Sequence, residues 1–331
     1  MEQQEVWSGP VPTLADVFQA RKVVRQYLQP TPAIESPALS ERMGCRVVVK
    51  CENLQPIGAF KIRGGIYLLS TLSDSERAAG VVAASTGNHG QSIAYAARIF
   101  GEHATIFVPN GANPLKVAAM ERLGADVRFA CDEFNDCHDE AGRWAKAEGK
   151  YFIHSANVPQ LIAGVGTSTL ELMEEHPDLD AIFVAIGGGS GACGACIAGK
   201  GISDRLKVYG VQAEGAPVVY ESWRERTLKK IGPAKTFAEG IATSEAFSLP
   251  AKILWNQVDD IVLVSDSDLR RSMVTLLETT RMVAEGAGAA GLAGLHQRRN
   301  ELQGKKVAVV LSGGNLTLET LEKALAEERP W

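Results

Sequence analysis

The sequence has no apolar run near the length that a membrane-spanning helix requires, which is about 20 residues. It also has no run of lysine and arginine, and its net charge is −5, so nothing in it offers the footprint of a nucleic-acid-binding protein. The acidic first residues are followed by no apolar region, and we therefore expect no secretory signal and a cytoplasmic location. These exclusions favour a small-molecule ligand over a nucleic acid or a membrane.

Cysteine is also sparse, with 6 residues in a chain of 331. We expect reduced thiols rather than a disulfide framework, because frameworks of this kind belong to short secreted chains. One pair has the C-x-x-C spacing, but no second pair exists and the neighbouring residues are small, so we expect it to pack as apolar surface and predict no metal site. The six residues are Cys45, Cys51, Cys131, Cys137, Cys193 and Cys196.

What the chain does contain is an alternation of short β-branched runs with helical patterns. With 331 residues and 45% hydrophobic residues it is long enough for two domains or one large α/β unit. Strands separated by single helices indicate parallel sheets with right-handed crossovers, and the strands fall into two sets. The predicted strands are 80–84, 104–108, 126–129 and 151–153, followed by 181–186, 207–211 and 306–311.

Ligands of open parallel sheets bind beyond the carboxyl ends of the strands, where three turns carry unusual residues. The first runs from Ser85 to Gly90 as Ser-Thr-Gly-Asn-His-Gly, between a strand and a helix. Its hydroxyls, amide and backbone N–H groups could receive a carboxylate or another anion. Simple N-capping by Ser85 or Thr86 explains part of the pattern equally well, and both interpretations stay open here.

The second turn is the glycine run Gly187-Gly188-Gly189-Ser190-Gly191, after a strongly apolar strand. Backbone amides without side chains can close around a phosphate, helped by the positive end of the following helix dipole. The rival is a dinucleotide site of an NAD-dependent oxidoreductase, because residues 189–194 satisfy G-x-G-x-x-G and Glu214 lies 20 residues beyond Gly194. This turn alone does not separate a phosphate site from a pyrophosphate site.

The third turn, Ser312-Gly313-Gly314-Asn315, follows the last predicted strand and offers a hydroxyl beside two glycines. Lys61 stands apart from all three turns, between glycines and apolar residues in the segment 58–65. A lysine with a lowered pKa forms a Schiff base with a carbonyl, whereas an ordinary loop lysine is solvated. Pyridoxal 5′-phosphate is favoured because it would use an imine-forming amine, a phosphate-binding loop, an anion-binding turn and a hydroxyl together. A dinucleotide would explain the glycine run but not Lys61 or residues 88–89.

The segments 53–56, 59–64, 85–90, 187–191 and 312–315 resemble the motifs of fold type II pyridoxal-phosphate enzymes, in the expected order. The branch they resemble is that of the serine/threonine dehydratases and serine racemases, over residues 31–315. The resemblance implies an α/β, tryptophan synthase β-like fold with two open parallel-sheet domains and the cofactor in the cleft. It implies a large domain of residues 1–81 and 158–331, a small mobile domain of residues 82–157, and a homodimer.

By position, the resemblance makes Lys61 the Schiff-base lysine and the base that takes the α proton. It places Phe60 beside the cofactor, Asn88 at the ring hydroxyl and Ser312 at the pyridine nitrogen. The remaining residues that the resemblance implies are the phosphate loop Gly187, Gly188, Gly189, Ser190 and Gly191, the acidic residue Glu285 near the ring, and the substrate-carboxylate residues Ser85, Thr86, Gly87 and His89. Thr86 also stands where racemases of this branch carry a serine, so we count it with Lys61 as a candidate catalytic residue.

The implied reaction is α,β-elimination from a 3-hydroxy amino acid of serine, threonine or hydroxyaspartate type, giving a 2-oxo acid and ammonia. A racemase and a β-replacement enzyme remain alternatives within the same fold. Racemases of this branch bind a divalent cation near the positions of Glu214, Val218 and Tyr220, but Tyr220 replaces an oxygen ligand and we predict no metal. Only 16 residues follow Asn315, and we expect no regulatory domain of the kind that biosynthetic threonine deaminases carry.

Overall fold

The computed structural model describes residues 6–132 and 134–331, with the side chains of residues 134 and 135 outside the description. Two sheets organise these residues, one of six strands and one of four. The ten strands are β1 (Ala33–Glu35), β2 (Arg46–Cys51), β3 (Val81–Ala84), β4 (Ala104–Pro109), β5 (Asp126–Cys131), β6 (Tyr151–Ile153), β7 (Ala181–Ala185), β8 (Lys207–Ala213), β9 (Asp260–Val264) and β10 (Lys306–Leu311). The expectation of an α/β fold with two parallel-sheet units is confirmed.

Helices cover both sheets, as parallel strands require. The first seven are α1 (Leu14–Val24), α2 (Pro37–Met43), α3 (Ile62–Thr71), α4 (Asp74–Ala78), α5 (Asn88–Phe100), α6 (Pro114–Arg122) and α7 (Phe134–Ala147). The next seven are α8 (Pro159–Glu175), α9 (Ser190–Ile202), α10 (Val218–Glu225), α11 (Ser248–Gln257), α12 (Asp266–Thr280), α13 (Gly286–Arg298) and α14 (Leu318–Glu327). Short 3-10 turns occupy Glu52–Leu54, Glu239–Ile241 and Arg299–Leu302.

The six-stranded sheet has the order β1-β2-β10-β7-β8-β9, with β1 antiparallel and every other neighbouring pair parallel. Its central strand β10 is buried at all six residues, and Val47, Val48 and Val49 of β2 have no exposed surface. Continuous apolar runs of this kind are typical of strands covered on both faces, because neither face meets water. The buried strands therefore give a rigid support to the turns that follow their carboxyl ends.

The four-stranded sheet has the order β5-β4-β3-β6 and is parallel throughout. Strands β3 and β4 are completely buried, between α5 and α6 on one face and α7 on the other. Its strands come from residues 81–153, which nearly coincides with the range 82–157 that the resemblance implies for the small domain. The boundaries of that domain and its mobility stay predictions.

The cysteine prediction was wrong for one pair, since Cys131 and Cys137 form a disulfide. Cys131 ends β5 and Cys137 lies in the early part of α7, and the reversal of the chain brings their Cα atoms to 5.4 Å. This separation is within the usual disulfide range. The other four cysteines are free and buried, among them Cys193 and Cys196 of the C-x-x-C segment.

Within the described ranges, no helix combines the length and the apolar character that crossing a membrane would require.

Candidate active site

A cavity of about 510 Å³ lies where the carboxyl ends of strands from both sheets meet. Its volume falls within the range of small-molecule sites, roughly 300 to 1,000 Å³. All the predicted site residues line it, although they come from five separate parts of the sequence. They are Phe60, Lys61, Ser85, Thr86, Gly87, Asn88, His89, Gly187, Gly188, Gly189, Ser190, Gly191, Glu285 and Ser312.

Lys61 immediately precedes α3 and presents its amine to the glycine loop. Its Nζ donates a hydrogen bond to Ser190 Oγ at 2.8 Å, and its backbone carbonyl accepts one from Ser92 Oγ at 2.6 Å. Burial lowers the pKa of Lys61 to about 8, because the ammonium form loses hydration that the surrounding protein does not replace. At pH 7 roughly a tenth of this amine is neutral, far more than for an unperturbed lysine, and the neutral form acts as a nucleophile and a base.

The glycine loop joins the end of β7 to the beginning of α9. Gly189 is the N-cap with φ of +96°, and no side chain caps the helix, so the first N–H groups remain available to a ligand. A Cβ atom on Gly187 would lie 2.3 Å from the backbone oxygen of Gly240, so only glycine fits there. Free amides at the positive end of a 13-residue helix form an anion site.

The turn from Ser85 to Gly90 combines both interpretations left open by the sequence. Ser85 Oγ accepts hydrogen bonds from the N–H groups of Gly87 at 3.1 Å and Gly90 at 2.8 Å, so this hydroxyl does serve the turn itself. The N-cap of α5 is Gly87, with no side-chain cap, which leaves N–H groups at the helix N-terminus facing the cavity. The turn can therefore still receive a carboxylate.

His89 is 8% exposed, and its Nε2 is buried without a hydrogen-bond partner. Burial lowers the pKa of His89 to about 3, helped by the nearby charge of Lys61 and by His154. The ring is therefore neutral at physiological pH. An orphaned polar atom that lines a cavity points to a bound ligand, because buried polar groups are normally paired.

The Asn88 amide is held from both sides. Its Nδ2 donates to Glu285 Oε1 at 2.6 Å, and its Oδ1 accepts from Asn315 Nδ2 at 2.8 Å. Asn315 Nδ2 also donates to the carbonyl of Ile57 at 2.8 Å, which ties the segment before Lys61 to the same network. Burial raises the pKa of Glu285, against the opposing effects of Lys116 and the hydrogen bond from Asn88.

Ser312 follows β10 directly and is 6% exposed. Its Oγ makes a long hydrogen bond of 3.4 Å to the carbonyl of Ala287, and its own carbonyl accepts from the N–H of Phe60 at 3.0 Å. The backbone of the Lys61 segment is thereby joined to the end of the central strand. The hydroxyl is left with capacity for a further partner in the cavity.

A buried ionic network lies behind Lys61 and was not predicted from the sequence. The Arg63 guanidinium donates to Glu52 at 2.7 and 2.9 Å and to both carboxylate oxygens of Glu171 at 2.8 Å. Lys50 donates to Glu171 at 2.8 Å and to the carbonyl of Thr31 at 2.7 Å. Two cations and two carboxylates balance within the core, and they join β2, α3 and α8 around the lysine.

Lys116 and Glu239 also line the cavity, where they form an ion pair that was not predicted from the sequence. No local signal could have found them, since they are 123 residues apart and neither lies in a recognisable motif. Glu214, the acidic residue of the dinucleotide pattern, is exposed in the turn after β8 and is not among the cavity-lining residues. Gly194 instead packs against Gly166 of α8, at a distance that leaves no room for a Cβ atom.

Comparison with known proteins decides between the two cofactors. A family model described as pyridoxal-phosphate dependent enzyme matches residues 24–313. The chain belongs to this family. The observed cavity fits pyridoxal phosphate, because it holds a buried lysine amine for the aldehyde and a side-chain-free loop at a helix N-terminus for the phosphate.

Two relatives cover most of this pyridoxal-phosphate enzyme. The L-threonine ammonia-lyase of Thermotoga maritima is 38% identical over 313 residues, which are 95% of this chain and 78% of that protein. The L-threo-3-hydroxyaspartate ammonia-lyase of Saccharomyces cerevisiae is 38% identical over 310 residues, which are 93% of this chain and 95% of that protein. The structure of maize serine racemase matches with a TM-score of 0.90 at 28% identity, covering 96% of this chain and 98% of that one.

Proposed function

We propose that this pyridoxal-phosphate enzyme is an ammonia-lyase that converts a 3-hydroxy amino acid into a 2-oxo acid and ammonia. The substrate is of the serine, threonine or hydroxyaspartate type, and the elimination removes the α proton and the β-hydroxyl. The observation that carries the proposal is the buried amine of Lys61, whose pKa is lowered to about 8 and whose Nζ lies 2.8 Å from Ser190 Oγ in the glycine loop. The relatives named threonine and hydroxyaspartate ammonia-lyase support the reaction type.

The bound cofactor supplies an electron sink that acidifies the substrate Cα–H. Lys61 Nζ takes the α proton, for which a pKa of about 8 suits it, because a general base works best with a pKa near the working pH. The proton moves from Cα to Nζ, and the resulting Nζ ammonium gives a proton to the β-hydroxyl, which leaves from Cβ as water. A water molecule is then consumed when ammonia is released, so substrate and products balance.

The substrate carboxylate binds the turn before α5 in this proposal. Ser85 shapes the turn through two backbone hydrogen bonds, while Thr86, Gly87 and His89 line the carboxylate position. The neutral His89 ring can donate or accept a hydrogen bond without adding a charge to the pocket. The free N–H groups of the helix N-terminus supply the favourable charge.

The remaining predicted residues would hold the cofactor. Gly187–Gly191 would bind the phosphate, and Asn88, whose amide is fixed by Glu285 and Asn315, would meet the ring hydroxyl. Ser312 would face the pyridine nitrogen. Phe60 would lie beside the ring; it packs against Gly191, where a Cβ on that glycine would lie 3.2 Å from the Phe60 ring. A hydroxyl is a weaker proton donor than a carboxylic acid, so this arrangement favours expulsion of a leaving group over a long-lived carbanion.

The experiment is a product analysis of the purified holoenzyme with L-serine, L-threonine and L-threo-3-hydroxyaspartate. We expect 2-oxo acid and ammonia in equal amounts, and a loss of at least about 10³-fold for Lys61→Ala, since it removes both the amine and the base. Lys22→Ala, which removes an exposed lysine of α1, should keep the wild-type rate. Full turnover by Lys61→Ala would contradict the proposal.

A racemase is the second candidate, and one observation favours it: the Thr86 hydroxyl lines the cavity in a fold shared with maize serine racemase. Chiral chromatography of the same reactions distinguishes the two activities, because predominant D-amino acid would make the racemase the leading candidate.

The proposal also includes a small domain of residues 82–157 that closes on substrate, a homodimer and a cytoplasmic location. Small-angle scattering with and without ligand tests the closure, light scattering tests the homodimer, and cell fractionation tests the location.

A further inference from the structure

The lining of the cavity carries more carboxylates than amines. Four acidic residues line it, Asp132, Glu239, Glu245 and Glu285, against Lys61 and Lys116. No arginine is among the lining residues in the part of the chain that the structure describes. Lys61 is already assigned to the cofactor aldehyde, so Lys116 is the remaining cation that a substrate side chain could meet.

Lys116 is not available to an anion. Its side chain is 9% exposed, its Nζ forms an ion pair with Glu239, and its Nζ lies 4.0 Å from Glu285 Oε2. Its stem runs over the carboxylate turn, since a Cβ on Gly87 would be 2.9 Å from Lys116 Cδ. The Lys116 ammonium is therefore fixed beside the proposed substrate position. The carboxylates of Glu239 and Glu285, across the cleft, balance its charge.

The other two acidic residues add negative charge without a compensating cation inside the cavity. Glu245 pairs at 3.6 Å with Lys230, whose side chain is 62% exposed and lies outside the lining. Asp132 is exposed and accepts a hydrogen bond from the neutral Asn110 amide at 2.8 Å. A second carboxylate on the substrate would face these groups after its α-carboxylate had used the N–H groups of the turn.

We infer that this site selects 3-hydroxy amino acids with an uncharged side chain, and that Glu239 determines this selectivity by neutralising Lys116. The inference rests on the proposed function and narrows its substrate class. Like-charge juxtaposition in a pocket discriminates strongly, because the excluded ligand loses hydration and finds no partner. Glu239 acts through Lys116 and takes no part in the chemistry.

The test compares kcat/KM for L-threonine with kcat/KM for L-threo-3-hydroxyaspartate in wild type and in Glu239→Gln. We expect the wild type to prefer threonine by at least about tenfold, and Glu239→Gln to reduce that ratio by about tenfold through a gain on hydroxyaspartate. Lys116→Met should move the ratio in the opposite direction, because it leaves the carboxylates unbalanced. A wild type that prefers hydroxyaspartate, or an unchanged ratio in Glu239→Gln, would overturn the inference.

Glu278→Gln is the matched control. Glu278 is 51% exposed, compared with 46% for Glu239, and forms a single ion pair with Arg42 at 2.8 Å away from the cavity. This variant should keep the wild-type ratio. Thermal melting of all the variants confirms that they are folded, which a partly exposed Glu-to-Gln change should allow.

A binding measurement separates this inference from the proposed function. Calorimetric titration of the holoenzyme compares succinate, which has two carboxylates, with butyrate, which has one. This measures whether the site tolerates a second carboxylate, and it does not depend on turnover of any amino acid. We expect butyrate to bind more tightly in wild type and Glu239→Gln to gain about tenfold for succinate alone. Tighter succinate binding by the wild type would refute the selectivity, while absence of 2-oxo acid from every substrate would refute only the ammonia-lyase proposal.

Discussion

Lys61 owes its chemistry to its surroundings rather than to its neighbours in sequence. Gly58, Gly64 and Gly65 make the segment compact, but they do not lower a pKa. The shift arises because the structure buries the amine against α9 and gives it one neutral partner, Ser190. A neutral hydroxyl cannot restore the hydration that the ammonium loses, so the neutral amine is favoured.

This shift predicts the pH dependence of imine formation. The rate at which the apoenzyme reacts with pyridoxal phosphate should rise with pH and level off above a midpoint near about 8, because only the neutral amine attacks. An unperturbed lysine would give a midpoint near about 10.4. Borohydride trapping at a series of pH values, followed by peptide mass analysis, measures the rate at Lys61. A midpoint above about 10 would show that burial does not control this amine.

Arg63 should be essential for stability. Arg63→Met leaves the carboxylates of Glu52 and Glu171 in the core with Lys50 as the one remaining cation of the network. We expect the free energy of unfolding to fall by about 3–5 kcal/mol, the usual cost of an uncompensated buried charge. Urea denaturation of the apoenzyme measures the loss.

Arg46→Met is the control for Arg63. Arg46 also makes two hydrogen bonds to one carboxylate, that of Glu35, but its side chain is 54% exposed. Water replaces most of that interaction, so we expect a loss below about 1 kcal/mol. Equal losses in the two variants would mean that burial is not what makes the Arg63 network important.

At the scale of elements, periodicity predicted seven of the ten described strands but not the glycine-rich helix α13. Strand β6 and strand β10 have the predicted bounds, because short β-branched runs between turns are a strong local signal. Strands β1, β2 and β9 and helix α13 were not predicted. Helix α13 consists largely of glycine and alanine, and glycine is a weak helix former, so its sequence gives little indication of a helix.

Packing explains why α13 is a helix nonetheless. Ten of its residues are buried against the large sheet, and a Cβ on Gly288 would lie 2.0 Å from the carbonyl oxygen of Gly313. The small residues let the helix approach the turn that carries Ser312. Tertiary contact therefore overrides a poor intrinsic propensity, and the reason is visible only in three dimensions.

The phosphate loop supplies a prediction at the same scale. In Gly187→Ala, the new Cβ would meet the Gly240 oxygen at 2.3 Å, and backbone on both sides must shift. We expect affinity for pyridoxal phosphate to fall at least about tenfold and the free energy of unfolding to fall by about 1–3 kcal/mol, the usual cost of overpacking. Fluorescence titration and urea denaturation measure the two effects.

Gly142→Ala is the corresponding control, because the nearest atom to its Cβ is 3.8 Å away, on the Phe152 ring. Gly142 lies within α7, where alanine should stabilise the helix by up to about 1 kcal/mol and leave cofactor binding unchanged. Undiminished cofactor affinity in Gly187→Ala would argue against the loop as the phosphate site.

At the scale of the whole molecule, the cleft between the two sheets is bridged by polar contacts. Asn88 of α5 bonds to Glu285 and Asn315, and Lys116 of α6 pairs with Glu239. Each bridge joins the part of the chain around the four-stranded sheet to the part around the six-stranded sheet. A change in the relative position of the two sheets would therefore disturb the contacts of Asn88 and of Lys116 together.

Acid should destabilise the molecule through one buried and two partly buried histidines. Burial lowers the pKa of His89 to about 3 and the pKa values of His154 and His296 to about 4, so the unfolded chain binds more protons below about 6.5. Stability then decreases as pH falls from about 6.5 to about 4, by at most about 1.4 kcal/mol per pH unit for each proton difference, and by less for His296, whose charge water partly screens. Urea denaturation of the apoenzyme at several pH values gives this slope.

His89→Gln should make that slope shallower, since one of the three proton differences disappears. His103→Gln, which replaces an exposed histidine before β4, should keep the wild-type slope. An unchanged slope in His89→Gln would show that this ring accepts its proton in the folded protein.

The sequence by itself determined which residues would line the site and their order along the chain. Lysine, the glycine loop and the strand-end turns are local patterns, and parallel sheets bring strand ends to one edge, so these residues were expected to meet. The tertiary structure decided how they are held: the orientation of Asn88, the neutralisation of Lys116, the burial of Arg63 and the Cys131–Cys137 disulfide. Most of these depend on partners more than a hundred residues away, which local periodicity cannot specify, and the disulfide depends on how β5 turns into α7.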